Sequence, residues 1–190
     1  MKTTQLFSIV LGIVSLTLLI IIPTSAQNLL DGVWFKVTVT MKGYELSLPD
    51  ESVVGKANDK NTIYLYTQYD MATGDYTITS CAQNAVNPNY WIPRENRIAA
   101  NMIKGSGQIE QIWNFHDTSL SFDNNHYWNY ANPLLFLKGN SNNTVSLSTL
   151  GCTGRFSNPG FSAWSSCSFK GKSIPRDKVP SLALMNCEPF

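Results

Sequence analysis

The chain is poor in the residues that most often do chemistry. Of its 190 residues, 14% are charged, two are histidines and four are cysteines. His116 has Asp117 beside it, but neighbours on a strand point to opposite faces. His126 stands next to Asp123-Asn124-Asn125, which reads as a turn and lacks the ligand spacing of a calcium-binding loop. No serine lies in a G-x-S-x-G elbow and no glycine loop is built for phosphate. There is no C-x-x-C, which with so few imidazoles argues against zinc. Paired carboxylates are not singled out by any local spacing. These absences remove the common motif-borne reactions. The expectation is a protein that binds rather than catalyses, with no catalytic residue, no metal and no cofactor.

Charge of either sign is also scarce. There are 14 basic and 13 acidic residues, and one of the basic ones is Lys2 in the leader, so the remainder is neutral overall. Net charge therefore gives no pull toward nucleic acid or an anionic membrane. Asn, Ser and Thr supply the polarity instead. Aromatics make up 12% of the chain, which is not the composition of a disordered segment.

One long apolar run exists, Phe7–Ile22, behind Lys2 and ahead of Pro23 and the small residues Thr24-Ser25-Ala26. This is the pattern of a signal peptide over residues 1–26, cut before Gln27. The run is short for a span of about 20 apolar residues, and no second run approaches that length. Residues 27–190 then form a single secreted domain, periplasmic or extracellular, with no stable membrane insertion after cleavage. That length suffices to bury a core.

A helical period is missing as well. In its place, Asp31–Tyr44 alternates cleanly: Val33, Phe35, Val37, Val39 and Met41 on one side, Trp34, Lys36, Thr38, Thr40 and Lys42 on the other. Such alternation marks a strand with one dry face. Hairpins follow. Ile63–Tyr69 and Asp75–Cys81 flank residues 70–74. Ile98–Ile103 and Gln108–Phe115 flank residues 104–107. Thr118–Phe122 and His126–Tyr130 flank residues 123–125, Leu134–Lys138 and Thr144–Leu150 flank residues 139–143, and Gly151–Phe156 and Trp164–Lys170 flank residues 157–163. Residues 82–95, with Pro88 and Pro93, read as a long loop. A short helix is expected over Ser181–Met185, after Pro180. The fold class is all-β: one antiparallel meander of about 8–10 strands forming a barrel or a sandwich.

An exported chain with an even cysteine count reads as disulfide-bonded. Cys152 and Cys167 are equidistant from Pro159-Gly160, so a hairpin tip there would set their sulfurs face to face. Cys81 would then join Cys187 and tie down the tail. Asn142-Asn143-Thr144 is a formal glycosylation sequon.

Gly32-Val33-Trp34 at the start of the first strand resembles the G-x-W signature of lipocalins. Length, all-β character and a C-terminal cysteine bonded to an earlier strand are similar too. The resemblance implies an eight-stranded up-and-down barrel, the lipocalin-like barrel, with a hydrophobic ligand in its mouth. It rests on three residues. The family's Trp points into the barrel, whereas Trp34 shares the face of Lys36, Thr38 and Thr40.

The aromatics are left to carry function. In adjacent pairs such as Tyr90-Trp91 and Tyr127-Trp128, a regular strand cannot turn both rings inward. Trp91, in the expected loop, and Trp128, beside a turn, are the first candidates for ligand contact, followed by Tyr64 and Tyr66 if the barrel is open. The expectation is a secreted binding protein for a small apolar ligand or a glycan. The alternative is a structural or interaction protein of the cell envelope. N-terminal sequencing of the exported protein should begin at or within a few residues of Gln27. Intact Met1 in the membrane fraction would contradict this.

Overall fold

The computed structural model describes residues 30–47, 50, 52–84, 87–102, 110–115, 120–124, 127–158 and 161–188. Residues 1–29, His116 and His126 lie outside them. Nine strands form one antiparallel sheet: β1 (Trp34–Ser47), β2 (Val53–Asp70), β3 (Asp75–Gln83), β4 (Trp91–Met102), β5 (Glu110–Asn114), β6 (Leu120–Asn124), β7 (Tyr127–Gly139), β8 (Val145–Asn158) and β9 (Phe161–Ile174). Their order is β5-β4-β3-β2-β1-β9-β8-β7-β6, and β5 also pairs with β7. The sheet therefore curls back on itself. β5 carries the closing pairs, Ala100↔Trp113 to β4 and Trp113↔Leu135 to β7. β6 and β5 share one edge of β7: Tyr127–Ala131 pair with the first and Leu134–Lys138 with the second. Pro133 sits between these stretches, where a missing N–H is tolerated.

The all-β expectation and the five hairpins hold at the level of strand pairing, with three corrections. The first hairpin is β1–β2, with Met41↔Asp59 and Gly43↔Ala57 in register. Residues 53–62, VVGKANDKNT, have little β-propensity and no strand is expected there from sequence; pairing along β1 makes them one. Residues 82–95 are not a long loop, since β3 runs to Gln83 and β4 starts at Trp91. The expected strands ending at Tyr130 and starting at Leu134 merge into β7, and those meeting at Leu150 and Gly151 merge into β8.

The inward face of β1 builds the core. Phe35, Val37, Val39 and Met41 are at most 1% exposed. They meet Ile63 and Leu65 from β2, Tyr76 and Ile78 from β3, Trp113 from β5, Leu135 and Leu137 from β7, and Phe169 from β9. Trp113 packs edge-on to Phe35 with centroids 5.9 Å apart. Each such side chain contributes about 1.5–3 kcal/mol by leaving water. At one end the chain enters through Leu30, fully buried. Thr67 ties it in: its hydroxyl donates to the Leu30 carbonyl, and its carbonyl accepts from Gly32 N–H at 2.8 Å. Gly32 has φ +69°, which explains a glycine at this turn.

Two cross-links complete the frame. Cys152 joins Cys167 across β8 and β9, with Cα atoms 5.2 Å apart, and Cys81 joins Cys187 with Cα atoms 6.0 Å apart. The first lies where the β8–β9 register slips, between Ser148 and Thr153. The second fastens the C-terminal segment to β3. That segment contains a turn at Arg176–Lys178 and α1 (Ser181–Cys187), begun by Pro180. Among the described residues, no helix is long and apolar enough to cross a membrane.

Two outcomes follow from the packing. A Cβ on Gly171 would stand 2.5 Å from the Lys36 carbonyl oxygen and 2.9 Å from the Val37 Cα. Gly171→Ala must part β1 from β9 and should cost about 1–3 kcal/mol, read as a lower melting temperature. The Tyr76 phenol is fully buried and lacks a hydrogen bond of good geometry. Burial pushes its pKa up to about 12, with Gln111 nearby offsetting part of the effect. A raised pKa in the folded state favours the neutral form. The associated stability is thus full below the ordinary pKa of about 10 and is lost as pH rises toward 12. Tyr76→Phe should flatten that alkaline decline in a pH series of denaturant midpoints.

Candidate functional site

Outward-facing aromatics form a second apolar cluster on the barrel's exterior. Trp34, Tyr64 and Trp91 are 2%, 6% and 7% exposed, although all three lie on outer strand faces. The C-terminal segment covers them, contributing Val179, Ala183 and Cys187, with Leu182 and Leu184 at the margin. Trp34 leans on Tyr66 with centroids 4.8 Å apart, and Tyr64 meets Trp91 edge-on at 5.5 Å. The cover is held by the Cys81–Cys187 bond and by Arg176, whose guanidinium Nε donates to both Glu188 oxygens at 2.8 and 3.1 Å. That fork lowers the Glu188 pKa and raises that of Arg176. Burial raises the Tyr64 and Tyr66 phenols, and at Tyr66 the Glu188 carboxylate adds to the rise.

Beside this cluster the barrel wall opens. β2 and β3 pair from Asp70↔Asp75 as far as Tyr64↔Cys81, and there the ladder stops. Past that point β2 stays with β1, and β3 stays with β4 through Gln83↔Trp91. The parted strands leave a cleft of about 520 Å³, edged by residues 61–63 and 82–84 and reached by Lys36, Tyr64, Trp91, Pro88 and Pro180. The connection from β3 to β4 forms one wall and is stiffened by its own asparagines. Asn87 N–H donates to the Asn84 carbonyl oxygen Oδ1 at 2.9 Å, Tyr90 N–H to the Asn87 carbonyl at 2.9 Å, and Gln83 Nε2 to the Pro88 carbonyl at 2.8 Å. Asx turns of this kind explain why Asn recurs there.

The cleft thus gathers two rings, the amides of Asn61, Gln83 and Asn84, the Thr62 hydroxyl and one cation, Lys36. Among the described residues, no carboxylate lines it. Such a set can stack on a flat apolar face and hydrogen-bond around its rim. Its ionisable side chains are Lys36 and Tyr64. Among the described residues, no three of His, Cys, Asp and Glu gather as a metal site.

The four candidates from the sequence have different fates. Tyr64 and Trp91 come together and line the cleft. Trp91 is not on a loop: it opens β4 and is almost fully buried, while its neighbour Tyr90 is 48% exposed. Tyr66 is half-buried against Trp34 and does not line the cleft. Neither tyrosine faces the barrel interior, because both share the outward register of Trp34 and Lys36. Trp128 pairs by backbone with Asp123 and Ser157 on β7, away from this site, and its side chain lies outside the described residues. Sequence reasoning missed Lys36, Gln83 and Asn84. For Gln83 and Asn84 the signal was the adjoining Asn/Pro clustering of residues 84–89; Lys36 had none. Compared with known proteins, the chain matches no family model, no curated protein and no solved structure.

Removing the staple tests the cover. Cys187→Ser should cost about 2–5 kcal/mol. It should also shift tryptophan emission to the red as Trp34 and Trp91 meet water. Unchanged emission would place those rings elsewhere.

Proposed function

We propose that this is an exported binding protein without enzymatic activity, and that its ligand is a glycan unit held in the cleft between β2 and β3. The observation that supports this reading most is the convergence of the Tyr64 and Trp91 rings with three side-chain amides and Lys36 on one 520 Å³ cleft. A sugar ring has an apolar face for the aromatics and equatorial hydroxyls for the amides. The polar part of the lining, with its amides, the Thr62 hydroxyl and Lys36, matches a hydroxyl-bearing ligand better than a purely apolar surface. The lining therefore favours the glycan over the small apolar molecule. Export fits with the two disulfides, which persist in oxidising compartments. The likeness to lipocalins is in this reading one of architecture. Trp34 sits under the C-terminal segment on the outside of the barrel, and the cleft opens on the outer face, not at the barrel mouth.

The test is tryptophan fluorescence across a panel of neutral and acidic oligosaccharides and apolar small molecules. Trp91→Ala would confuse the result, since truncating so buried a ring costs about 3–5 kcal/mol. Gln83 is exposed, so Gln83→Trp fills the cleft from its rim. At least one saccharide should change the emission of the native protein. Gln83→Trp should weaken its binding about tenfold or more, as loss of the buried contact area implies, with a stability cost no larger than the one hydrogen bond to Pro88 that it removes, about 0.5–1.5 kcal/mol. Binding that survives Gln83→Trp would move the site elsewhere.

A further inference from the structure

A neutral chain can still carry a strongly charged face, and this one does. β1 lies between β2 and β9, and residues opposite each other across antiparallel pairs share a face. Row by row, the outward positions are Tyr64–Lys36–Lys172, Thr62–Thr38–Lys170, Lys60–Thr40–Ser168, Asn58–Lys42–Ser166 and Lys56–Tyr44–Trp164. Six of these are lysines: Lys36, Lys42, Lys56, Lys60, Lys170 and Lys172, all exposed. None is acidic. The described ion pairs, Lys138–Glu110, Arg176–Glu188 and Lys178–Asp177, all lie off this face.

Neighbouring strands are about 4.8 Å apart, and alternate residues along a strand about 6.7 Å. Neighbouring positions on this grid are therefore closer than a Debye length of about 8 Å at physiological salt, so charges carried there act together. Lys36 stands directly opposite Lys172, an arrangement that is unfavourable in isolation. Serine and threonine occupy the intervening positions, where Asp or Glu would have relieved the repulsion. The sequence thus concentrates positive charge on a rigid, hydroxyl-rich sheet face, and it does so while the whole chain is balanced.

We infer that the outer face of β2, β1 and β9 is a docking surface for an anionic polysaccharide, one bearing carboxylate or sulfate groups at sugar spacing. The charge calls for a polyanion. Interleaved Thr38, Thr40, Thr62, Ser166 and Ser168 offer hydrogen bonds to sugar hydroxyls between charges. Lysine ammonium groups accept carboxylate or sulfate as point charges without the bidentate geometry that arginine brings to phosphate. The first row ends at Tyr64 and Lys36, which are also walls of the cleft. A polymer lying on the face would thus present one unit to the rings. The choice of a saccharide over other polyanions rests on the reading of the cleft; the polyanion surface itself does not.

The experiment uses the full exported chain, with heparin and polygalacturonate as sulfated and carboxylated probes. Neutral dextran, a single-stranded DNA oligonucleotide and phosphatidylglycerol vesicles are the comparators. Both acidic polysaccharides should bind, and dextran should not be held by the face. Affinity should drop about tenfold or more between about 50 and about 200 mM salt, as release of counterions from several contacts requires. The triple change Lys42→Gln, Lys170→Gln and Lys172→Gln alters three exposed side chains that do not line the cleft. It should weaken polysaccharide binding about tenfold or more while leaving the melting temperature and any neutral-saccharide signal intact. Gln83→Trp should do the reverse, so failure of the cleft and failure of the face are told apart. Wild-type affinity in the triple variant would overturn the proposal. So would DNA or vesicles binding more tightly than both polysaccharides at equal salt.

Discussion

Phe35, Val37, Val39 and Met41 turn inward while Lys36, Thr38, Thr40 and Lys42 turn outward, and β1 pairs with β2 and β9 at the same time. Both neighbours inherit this division through register. Ile63, Leu65 and Phe169 join the core, and Tyr64, Lys60, Lys170 and Lys172 join the exterior. A slip of one residue would exchange the faces and bury lysines. The alternation of β1 is therefore the constraint on which the core, the cleft and the basic face all depend.

The exterior is not uniformly wet. Trp34, Tyr64 and Trp91 are large rings on outward positions, and left uncovered they would expose a sizeable apolar patch. The C-terminal segment solves this locally. Val179 and Ala183 pack on the rings, Cys187 locks to Cys81, and the Arg176–Glu188 fork closes the segment on itself. With Pro180 at its margin, the cover leaves only the edges of Tyr64 and Trp91 on the cleft where β2 and β3 part. One device thus both stabilises the wall and defines a binding edge. Cover and cleft are built from the same residues, so the stability and recognition of this region are coupled.

Much of the frame was legible from residue order. Period-2 alternation identified β1, and turn residues between apolar runs identified the later hairpins. The spacing of Cys152 and Cys167 about Pro159-Gly160 gave one disulfide and, by elimination, the other. The start of β2 was not legible, because VVGKANDKNT becomes a strand through pairing with β1 and not through propensity. Pro88 and Pro93 around Trp91 suggest a loop, yet pairing with Gln83 makes Trp91 the first residue of β4. The basic face was hidden for a further reason. Its lysines are spread from position 36 to position 172, and no window of sequence contains enough of them to register as a patch. Composition averaged them against carboxylates that the fold places elsewhere.

Met41 and Lys42 are adjacent in sequence and have opposite environments, 1% exposed and exposed respectively, whereas Met71 is 79% exposed and Met185 72%. Mass-spectrometric footprinting of the native protein with peroxide and an amine acylating reagent reads both residues at once. The account predicts that Met71 and Met185 are oxidised and Lys42 is acylated while Met41 stays intact until the protein is unfolded. Oxidation of Met41 at the rate of Met71, with Lys42 protected, would mean that β1 runs in the opposite register and would contradict the account at its root.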